Sequence, residues 1–192
     1  YRGQYSILQI ANNTTGPLNP ANDNVVTADT SKRPATHAQT GSLFGLSVQS
    51  KQERFFASAV LKRASGFGPY GPGGVYMISK AGAVWNFAGG FTLQGVSPSN
   101  GGLPLDFGSV TRVTSPATND NYISDNYINT APSGSDCRDM DAFSKATTIS
   151  YGDIEADPNS DKIYMLNLFQ KRLIVFNASA TTAGLNGASP AT

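Results

Sequence analysis

The sequence predicts an all-β protein made of antiparallel strands. Its apolar runs are short, and nearly all are bounded by turn-forming Gly, Pro, Asn or Asp, which is the pattern of strands joined by turns. Small and polar residues are abundant and only 14% of residues are charged, a balance that suits an all-β secreted protein better than a helical cytosolic one. Two stretches also repeat the same succession of strands and turns, which indicates a fold built from similar β units.

The first half of the chain carries closely spaced strand signals. A strand is predicted over 5–10 and a shorter one over 25–28, with an Asn-, Pro- and Thr-rich loop between them. Further strands are predicted over 43–48, 54–61, 74–79 and 83–88. Polar turns and a glycine-proline stretch connect them, so they are expected to form an antiparallel meander.

The second half repeats this pattern. Strands are predicted over 148–156, 162–168 and 173–176, and an Asp- and Pro-containing turn separates the first two. The paired segments are GLSVQSKQERFFASAV at 45–60 and GDIEADPNSDKIYMLN at 152–167. Their succession of strand, turn and strand is that of a β-propeller blade, a unit of about 40–50 residues.

The predicted organisation is one β domain and a tail. We expect a propeller-like domain over 1–177, with a long loop insert at about 95–145, and an Ala/Ser/Thr-rich tail or linker over 178–192. The insert is expected to lie on one rim of the propeller. Its aromatic residues would either stack on sugars or pin the insert to the blades; they are Phe107, Tyr122, Tyr127 and Phe143.

A closed propeller needs about four blades or more, and the repeat supplies fewer. We therefore expect β-propeller-like antiparallel blades of an incomplete propeller, which is either a segment of a longer one or is completed by another chain. Unpaired strand edges in such a fragment would invite association. The sequence starts at Tyr1 without a Met or a signal-like segment, as expected for a processed or truncated chain.

Two segments resemble a known family, namely FFASAVLKRASGFGPYGPGGVYMI and GDIEADPNSDKIYMLNLFQKRLIVFN. They are similar to blades of the β-propellers found in large bacterial and algal cell-surface or secreted proteins. The matching residues are Ala57, Lys62, Arg63, Gly66, Phe67, Gly68, Pro69, Gly71, Gly73 and Tyr76, then Gly152, Asp153, Ile154, Asn159, Ile163, Tyr164, Asn167, Leu168 and Leu173. The resemblance covers a minority of the chain. It implies a surface location and structural or adhesive work, and it supplies no catalytic residues.

The segment 66–71 spells G-x-G-x-x-G, the glycine pattern of a dinucleotide-binding turn. Such a turn needs a helix directly after the glycines, because the helix N-terminus receives the pyrophosphate. Here Pro69 and Pro72 interrupt the pattern and a β run follows. The stretch is therefore predicted to be a rigid connection between strands, in which glycines adopt positive φ and prolines fix φ.

Acidic residues form the candidate metal ligands. Asp153, Glu155 and Asp157 alternate along one predicted strand and would share a face, and calcium is the ion that such oxygen ligands would hold. A second acidic group lies in the insert and consists of Asp120, Asp125, Asp136, Asp139 and Asp141. Their spacing matches no standard calcium loop, so ordinary solvated turns are the competing interpretation, and Asp153 would alternatively bond the backbone of a neighbouring blade.

Catalysis has little support in the sequence, and we predict no catalytic residues and no cofactor other than calcium. His37 is the single histidine, and no G-x-S-x-G segment accompanies it as a serine nucleophile would require. Asp153 and Glu155 remain an alternative as paired carboxylates for glycoside hydrolysis. Cys137 is the single cysteine and is expected to be a buried or unpaired thiol rather than a nucleophile.

The predicted function is that of an extracellular structural protein. The net charge of +1 and the lack of a basic stripe disfavour nucleic acid as a partner, and no apolar run is long enough to span a membrane. Sequons place candidate glycans on Asn12, Asn13 and Asn177. We expect a secreted or cell-surface glycoprotein module that forms filaments or mediates adhesion by packing against copies of itself or the rest of a longer chain. The alternative is a glycan-binding or glycan-cleaving propeller.

Overall fold

A computed structural model of the chain describes residues 5–7, 34–113 and 138–178. Its strands are β1 Tyr5–Ile7, β2 Ala35–Thr36, β3 Leu43–Gln49, β4 Arg54–Ala59, β5 Gly74–Ala81, β6 Val84–Thr92, β7 Tyr151–Ala156, β8 Lys162–Asn167 and β9 Arg172–Asn177. The helices are α1 His37–Thr40 and α2 Met140–Lys145, and single 3-10 turns cover Ser50–Gln52 and Gly71–Gly73. The all-β prediction is confirmed.

The strands form antiparallel sheets in simple chain order. A four-stranded sheet has the order β3-β4-β5-β6, a three-stranded sheet has the order β7-β8-β9, and β1 pairs with β2. Every described pairing is antiparallel. Each larger sheet is thus a meander, because turn-rich connections join strands that are neighbours along the chain.

The strand boundaries follow the sequence prediction with few differences. The strand predicted over 148–156 begins only at Tyr151, because Thr147 and Ser150 adopt positive φ of 68° and 69°, which extended strands exclude. The strand predicted over 83–88 continues to Thr92. The strand predicted over 25–28 lies outside the described residues, as do positions 8–10 of the first one.

The two paired stretches take corresponding places in the two larger sheets. Each forms the hairpin that opens its sheet, β3–β4 in one and β7–β8 in the other. Each also has a register shift at the aligned glycine, Gly45 in β3 and Gly152 in β7. The two first strands approach closely, since a Cβ atom added to Gly45 would lie 2.8 Å from Ile154 Cγ2. A side chain at position 45 would therefore separate β3 from β7.

The main core lies between the two larger sheets. Phe91 of β6 stacks on Phe176 of β9, with ring centroids 5.1 Å apart. The buried residues of this core are Phe56, Val75, Met77, Phe91, Leu93, Leu105, Phe107, Tyr151, Ile154, Ala156, Ile163, Met165, Phe176 and Ala178. Both sheets contribute to this set, so burial of apolar area holds them face to face.

The described part of the predicted insert enters this core. Leu105 and Phe107 are buried, the Phe107 ring lies 4.5 Å from the Tyr151 ring, and Ser150 N donates to the Phe107 carbonyl at 2.8 Å. Residues 105–107 of the predicted insert are therefore part of the core, and the position of the insert on a propeller rim stays a prediction. The prediction that aromatic residues pin the insert is confirmed for Phe107, whereas Phe143 is exposed and Tyr122 and Tyr127 lie outside the described residues.

The faces of the sheets that point away from this core carry exposed apolar residues. On β3, Phe44, Leu46 and Val48 are exposed and alternate with the buried Ser47 and Gln49. On the three-stranded sheet the exposed apolar residues are Leu166, Leu173 and Val175, and Leu166 lies directly opposite Leu173. Within the described residues the two sheets do not close into a ring, and no helix is long and apolar enough to cross a lipid bilayer.

Candidate functional site

The glycine pattern at 66–71 lies where two backbone segments cross. Ser42 N donates to the Gly66 carbonyl at 2.9 Å. A Cβ atom on Gly41 would lie 2.1 Å from Gly68 N, and one on Gly68 would lie 2.5 Å from the Thr40 carbonyl carbon. Both glycines have positive φ. The pattern therefore serves close backbone contact, which only residues without a Cβ atom permit.

Two buried tyrosines fix the ends of this stretch. Tyr76 Oη donates to the Phe67 carbonyl at 2.8 Å, and Tyr151 Oη donates to the Gly73 carbonyl at 2.9 Å. The residues after Gly71 form only a 3-10 turn before β5 begins at Gly74. The prediction that no α-helix follows the glycines is confirmed, and the arrangement is that of a structural connection.

We expect ionisation of these tyrosines to unfold the protein at high pH. Burial raises the pKa of both Tyr76 and Tyr151 above the ordinary tyrosine value. Because the folded-state pKa exceeds the unfolded-state value, their contribution to stability is complete below about pH 10 and is lost as the pH rises further. The expected loss is about 1.4 kcal/mol per pH unit for each tyrosine.

Urea denaturation at pH 7 to 12, read together with the tyrosinate absorbance, checks this expectation. The variant Tyr76→Phe removes one titrating group and should flatten the decline of stability above about pH 10. A decline equal to that of the wild type would show that other groups control alkaline unfolding.

A buried ion pair holds the turn that precedes the glycine stretch. Asp139 is buried, and its carboxylate accepts from Arg112 Nε at 3.0 Å and Arg112 Nη2 at 2.8 Å. The same carboxylate accepts from Ala64 N at 2.7 Å. Arg112 also donates to the carbonyls of Lys62 and Ser65 at 2.9 and 2.8 Å. This set, which we call the Arg112 clamp, joins residues 62–65 to the segment before α2.

The single histidine contacts a serine. His37 Nε2 lies 2.9 Å from Ser65 Oγ, which lies 2.5 Å from Ser42 Oγ. Burial lowers the pKa of His37 below the ordinary histidine value, with a smaller effect from the charge of Lys62. In the part of the chain that the structure describes, no carboxylate bonds the other ring nitrogen. Among residues 34–113 and 138–178, His37 and Ser65 are therefore not accompanied by the acidic member that orients a catalytic base.

The acidic residues predicted as calcium ligands accept hydrogen bonds from residues close by in the chain. Asp153 Oδ1 accepts from Ile154 N at 2.8 Å, and Asp157 accepts from Asn159 N at 2.9 Å and from Ser160 Oγ at 2.6 Å. These bonds lower the pKa of Asp157, the Ser160 hydroxyl first. Glu155 is exposed on β7.

Across residues 34–113 and 138–178, no three His, Cys, Asp or Glu side chains group as metal ligands do. Calcium binding at these residues stays a prediction.

The acidic residues of the insert divide between the described and the undescribed residues. Asp141 accepts from Thr111 N at 2.7 Å and from Lys145 Nζ at 2.8 Å, and the Lys145 contact is the main cause of its lowered pKa. Asp120, Asp125 and Asp136 lie outside the described residues, as do Cys137, Asn12 and Asn13. The remaining sequon residue, Asn177, is exposed at the end of β9.

A cleft of about 560 Å³ with both polar and apolar lining lies beside the turn between β8 and β9. Phe169, which is exposed, forms one side of it. Its polar lining is Gln94, Asp106, Ser109, Lys145, Thr147, Thr148 and Lys171. Asp106 is fixed by bonds from Gln94 Nε2 at 3.1 Å and Gly108 N at 2.9 Å. An exposed aromatic ring beside fixed polar groups is the arrangement that stacks on and hydrogen-bonds a sugar.

These features define the class of the protein as an all-β, antiparallel protein with two meander sheets packed on each other. Comparison with known proteins adds no relative, because no family model matches the chain and neither a curated protein nor a solved structure matches significantly. The resemblance to cell-surface propellers thus stays a prediction, and function must be argued from the surfaces of the molecule.

Proposed function

We propose that this protein is a module of an extracellular structural or interaction protein, and that its sheets are propeller-like blades. The module assembles by packing its outer sheet faces and strand edges against copies of itself or against the rest of a longer chain. The single observation that carries the proposal is the apolar character of the outward faces on both sheets.

The exposure of these faces is large. Leu46 and Val48 of β3 are 57% and 52% exposed, and Leu166, Leu173 and Val175 of the three-stranded sheet are 41%, 67% and 53% exposed. Single exposed apolar residues are ordinary on protein surfaces, whereas neighbouring ones on a strand face mark an interaction surface. Covering both faces with further sheets would repeat the sheet-on-sheet packing that forms the core.

The matched organisation of the two sheets supports the same proposal. Both open with a hairpin that is bulged at a glycine, and their first strands lie against each other. A repeated unit of this kind buries its faces on neighbours, so a unit at the end of a row needs a further partner. The secreted location and the fibre or adhesion role are the parts of the proposal that rest on composition.

Self-association tests this function. The chain at about 100 µM, a concentration that occupies interfaces with micromolar dissociation constants, is expected to form larger species in sedimentation velocity. The double variant Leu46→Glu/Val48→Glu and the variant Leu166→Glu should remain monomeric, because a buried unpaired charge opposes the interface. Lys51→Glu changes the charge of an exposed turn outside these faces and serves as the matched control.

Footprinting covers the case in which a longer chain supplies the partner. Hydroxyl-radical labelling of Leu46, Val48 and Leu166 should be weaker in the intact polypeptide from its source than in the isolated 192-residue chain. An isolated chain that stays monomeric, together with equal labelling in both forms, would overturn the proposal.

Glycan binding is the second candidate function, and the cleft beside Phe169 favours it. Among the described residues, Asp106 is the single carboxylate that lines this cleft, whereas glycoside cleavage uses a pair, so binding is favoured over cleavage. Binding on a glycan array that Phe169→Ala abolishes and Phe143→Ala preserves would support this function. Phe143 is the matched control because it is an exposed phenylalanine that does not line the cleft.

A further inference from the structure

Strand β9 forms the outer edge of its sheet. The three-stranded sheet has the order β7-β8-β9 and ends at its third strand. In the four-stranded sheet, by contrast, a fourth strand, β6, pairs with the third strand, β5. In the part of the chain that the structure describes, no strand pairs with the outer side of β9 at residues 172–176. An edge strand presents a row of backbone donors and acceptors that another strand can pair with.

A groove of about 640 Å³ runs along this edge. Its floor is apolar and includes Leu93, Leu105, Ile174 and Phe176, and the segment from Val96 to Gly102 forms the opposite wall. The volume lies in the range of about 300–1,000 Å³ that is usual for ligand sites. The groove therefore offers apolar contacts next to the strand edge at residues 172–176, and this combination is used to bind an extended peptide.

The opposite wall is fixed to the body of the protein. Gly95 N donates to the Leu105 carbonyl at 2.7 Å, and Leu105 N donates to the Val96 carbonyl at 2.9 Å. Gln170 Nε2, in the turn that leads into β9, donates to the Pro104 carbonyl at 3.0 Å. These bonds fix the position of the opposite wall, so a peptide would bind a preformed site.

The positive charge of Arg172 at one end of the groove indicates which end of a bound peptide would lie there. Arg172 lines the groove where β9 begins, and its Nη1 atom would lie 3.9 Å from a Cβ atom on Gly102 in the opposite wall. Arg172 forms no ion pair with a carboxylate in the described residues. A peptide antiparallel to β9 has its C-terminus at this end, because β9 starts there.

We propose that the groove beside β9 binds the extended C-terminal segment of another polypeptide, antiparallel to β9, with the terminal carboxylate on Arg172. The inference rests on the edge-pairing part of the function proposed above and names its ligand. Antiparallel pairing is chosen because every described pairing in this fold is antiparallel. Arginine suits the carboxylate because its guanidinium presents paired donors to both oxygens.

Fluorescence anisotropy with labelled hexapeptides tests the proposal. The probes alternate Val and Thr in both registers and end in either a free carboxylate or an amide. The free-acid peptide in the better register should bind the wild type about tenfold more tightly than its amide, as expected for a charge-assisted hydrogen bond. Of the two versions N-methylated on alternate residues, the one that lacks the N–H groups facing β9 should lose binding, and the other should retain it.

Protein variants locate the peptide. Arg172→Gln should weaken the free-acid peptide about tenfold and leave the amide peptide unchanged, while Ser99→Trp should block both by filling the groove. Lys171→Gln is the matched control, because Lys171 precedes Arg172 but does not line this groove. Equal binding of acid and amide, unchanged binding to Arg172→Gln, or no binding of either register at about 1 mM would each overturn the proposal.

The outcome is separable from that of the proposed function. Self-association is tested through Leu46, Val48 and Leu166, none of which lines the groove. A wild type that self-associates but binds no peptide would refute the groove and leave the proposed function standing. Peptide binding by a chain that shows neither self-association nor footprint protection would support the groove and refute the proposed function.

Discussion

Replacing Arg112 by alanine is expected to lower the free energy of unfolding by about 3–5 kcal/mol. Asp139 is buried, and Arg112 is the cation that its carboxylate contacts at 2.8 and 3.0 Å. The variant would leave that charge buried without its partner, which costs far more than an exposed pair contributes. It would also remove the donors to the carbonyls of Lys62 and Ser65. The decrease is measured by urea denaturation at neutral pH.

The double-mutant cycle separates the charge from the packing. Asp139→Asn keeps an oxygen that accepts from Ala64 N, and Asn tolerates the left-handed φ of 40° at this position. This variant should therefore lose less stability than Arg112→Ala. Combining it with Arg112→Ala should cost less than the sum of the single losses, because the two side chains contact each other. Lys80→Gln breaks the exposed ion pair with Glu53 and should cost less than about 1 kcal/mol. Additive losses at Arg112 and Asp139 would contradict the clamp.

Local patterns were sufficient to predict most strands and the order of the sheets. The segments around β3–β4 and β7–β8 are short apolar runs between strong turn signals, so each boundary has a nearby cause. The start of β7 is the informative exception. Ser150 lies within the segment that the sequence predicts to be a strand. Its hydroxyl group, however, lies within hydrogen-bonding distance of two carbonyl oxygens, that of Ala59 at 2.6 Å and that of Pro72 at 2.7 Å. This long-range contact selects a conformation that the local sequence does not indicate.

The site features depended on distant contacts and were harder to predict. The sequence places Asp139 with the other acidic residues of the insert loop, yet the structure buries it against Arg112 and Ala64. One weak signal exists, because Arg112 is one of only three basic residues, with Arg138 and Lys145, in an insert that contains six aspartates. The groove beside β9 has no such signal, since its walls come from segments far apart in the chain and periodicity describes only one segment at a time.

Replacing Gly41 by alanine is expected to lower the free energy of unfolding by about 2–5 kcal/mol, from backbone strain and overpacking together. Gly41 has φ of 65° and ψ of −153°, a region that only glycine adopts readily. A Cβ atom there would also lie 2.1 Å from Gly68 N and from the Phe67 carbonyl carbon. Because those atoms belong to the backbone, relief requires the two crossing segments to separate. Gly68→Ala should have a similar effect from the other side of the crossing, since its Cβ atom would meet Thr40.

Gly71 provides the matched control for this crossing. Its φ is also 65°, but a Cβ atom there would meet nothing within 4 Å. Gly71→Ala should therefore cost only the conformational penalty, about 1–2 kcal/mol, in the same urea denaturation series. The difference between the variants combines the close backbone contact with the additional strain from the ψ of −153° at Gly41, and the contact is the structural role assigned to the glycine pattern. If Gly41→Ala and Gly71→Ala were equally destabilising, the segments would not be in contact and the pattern would again be open to a ligand.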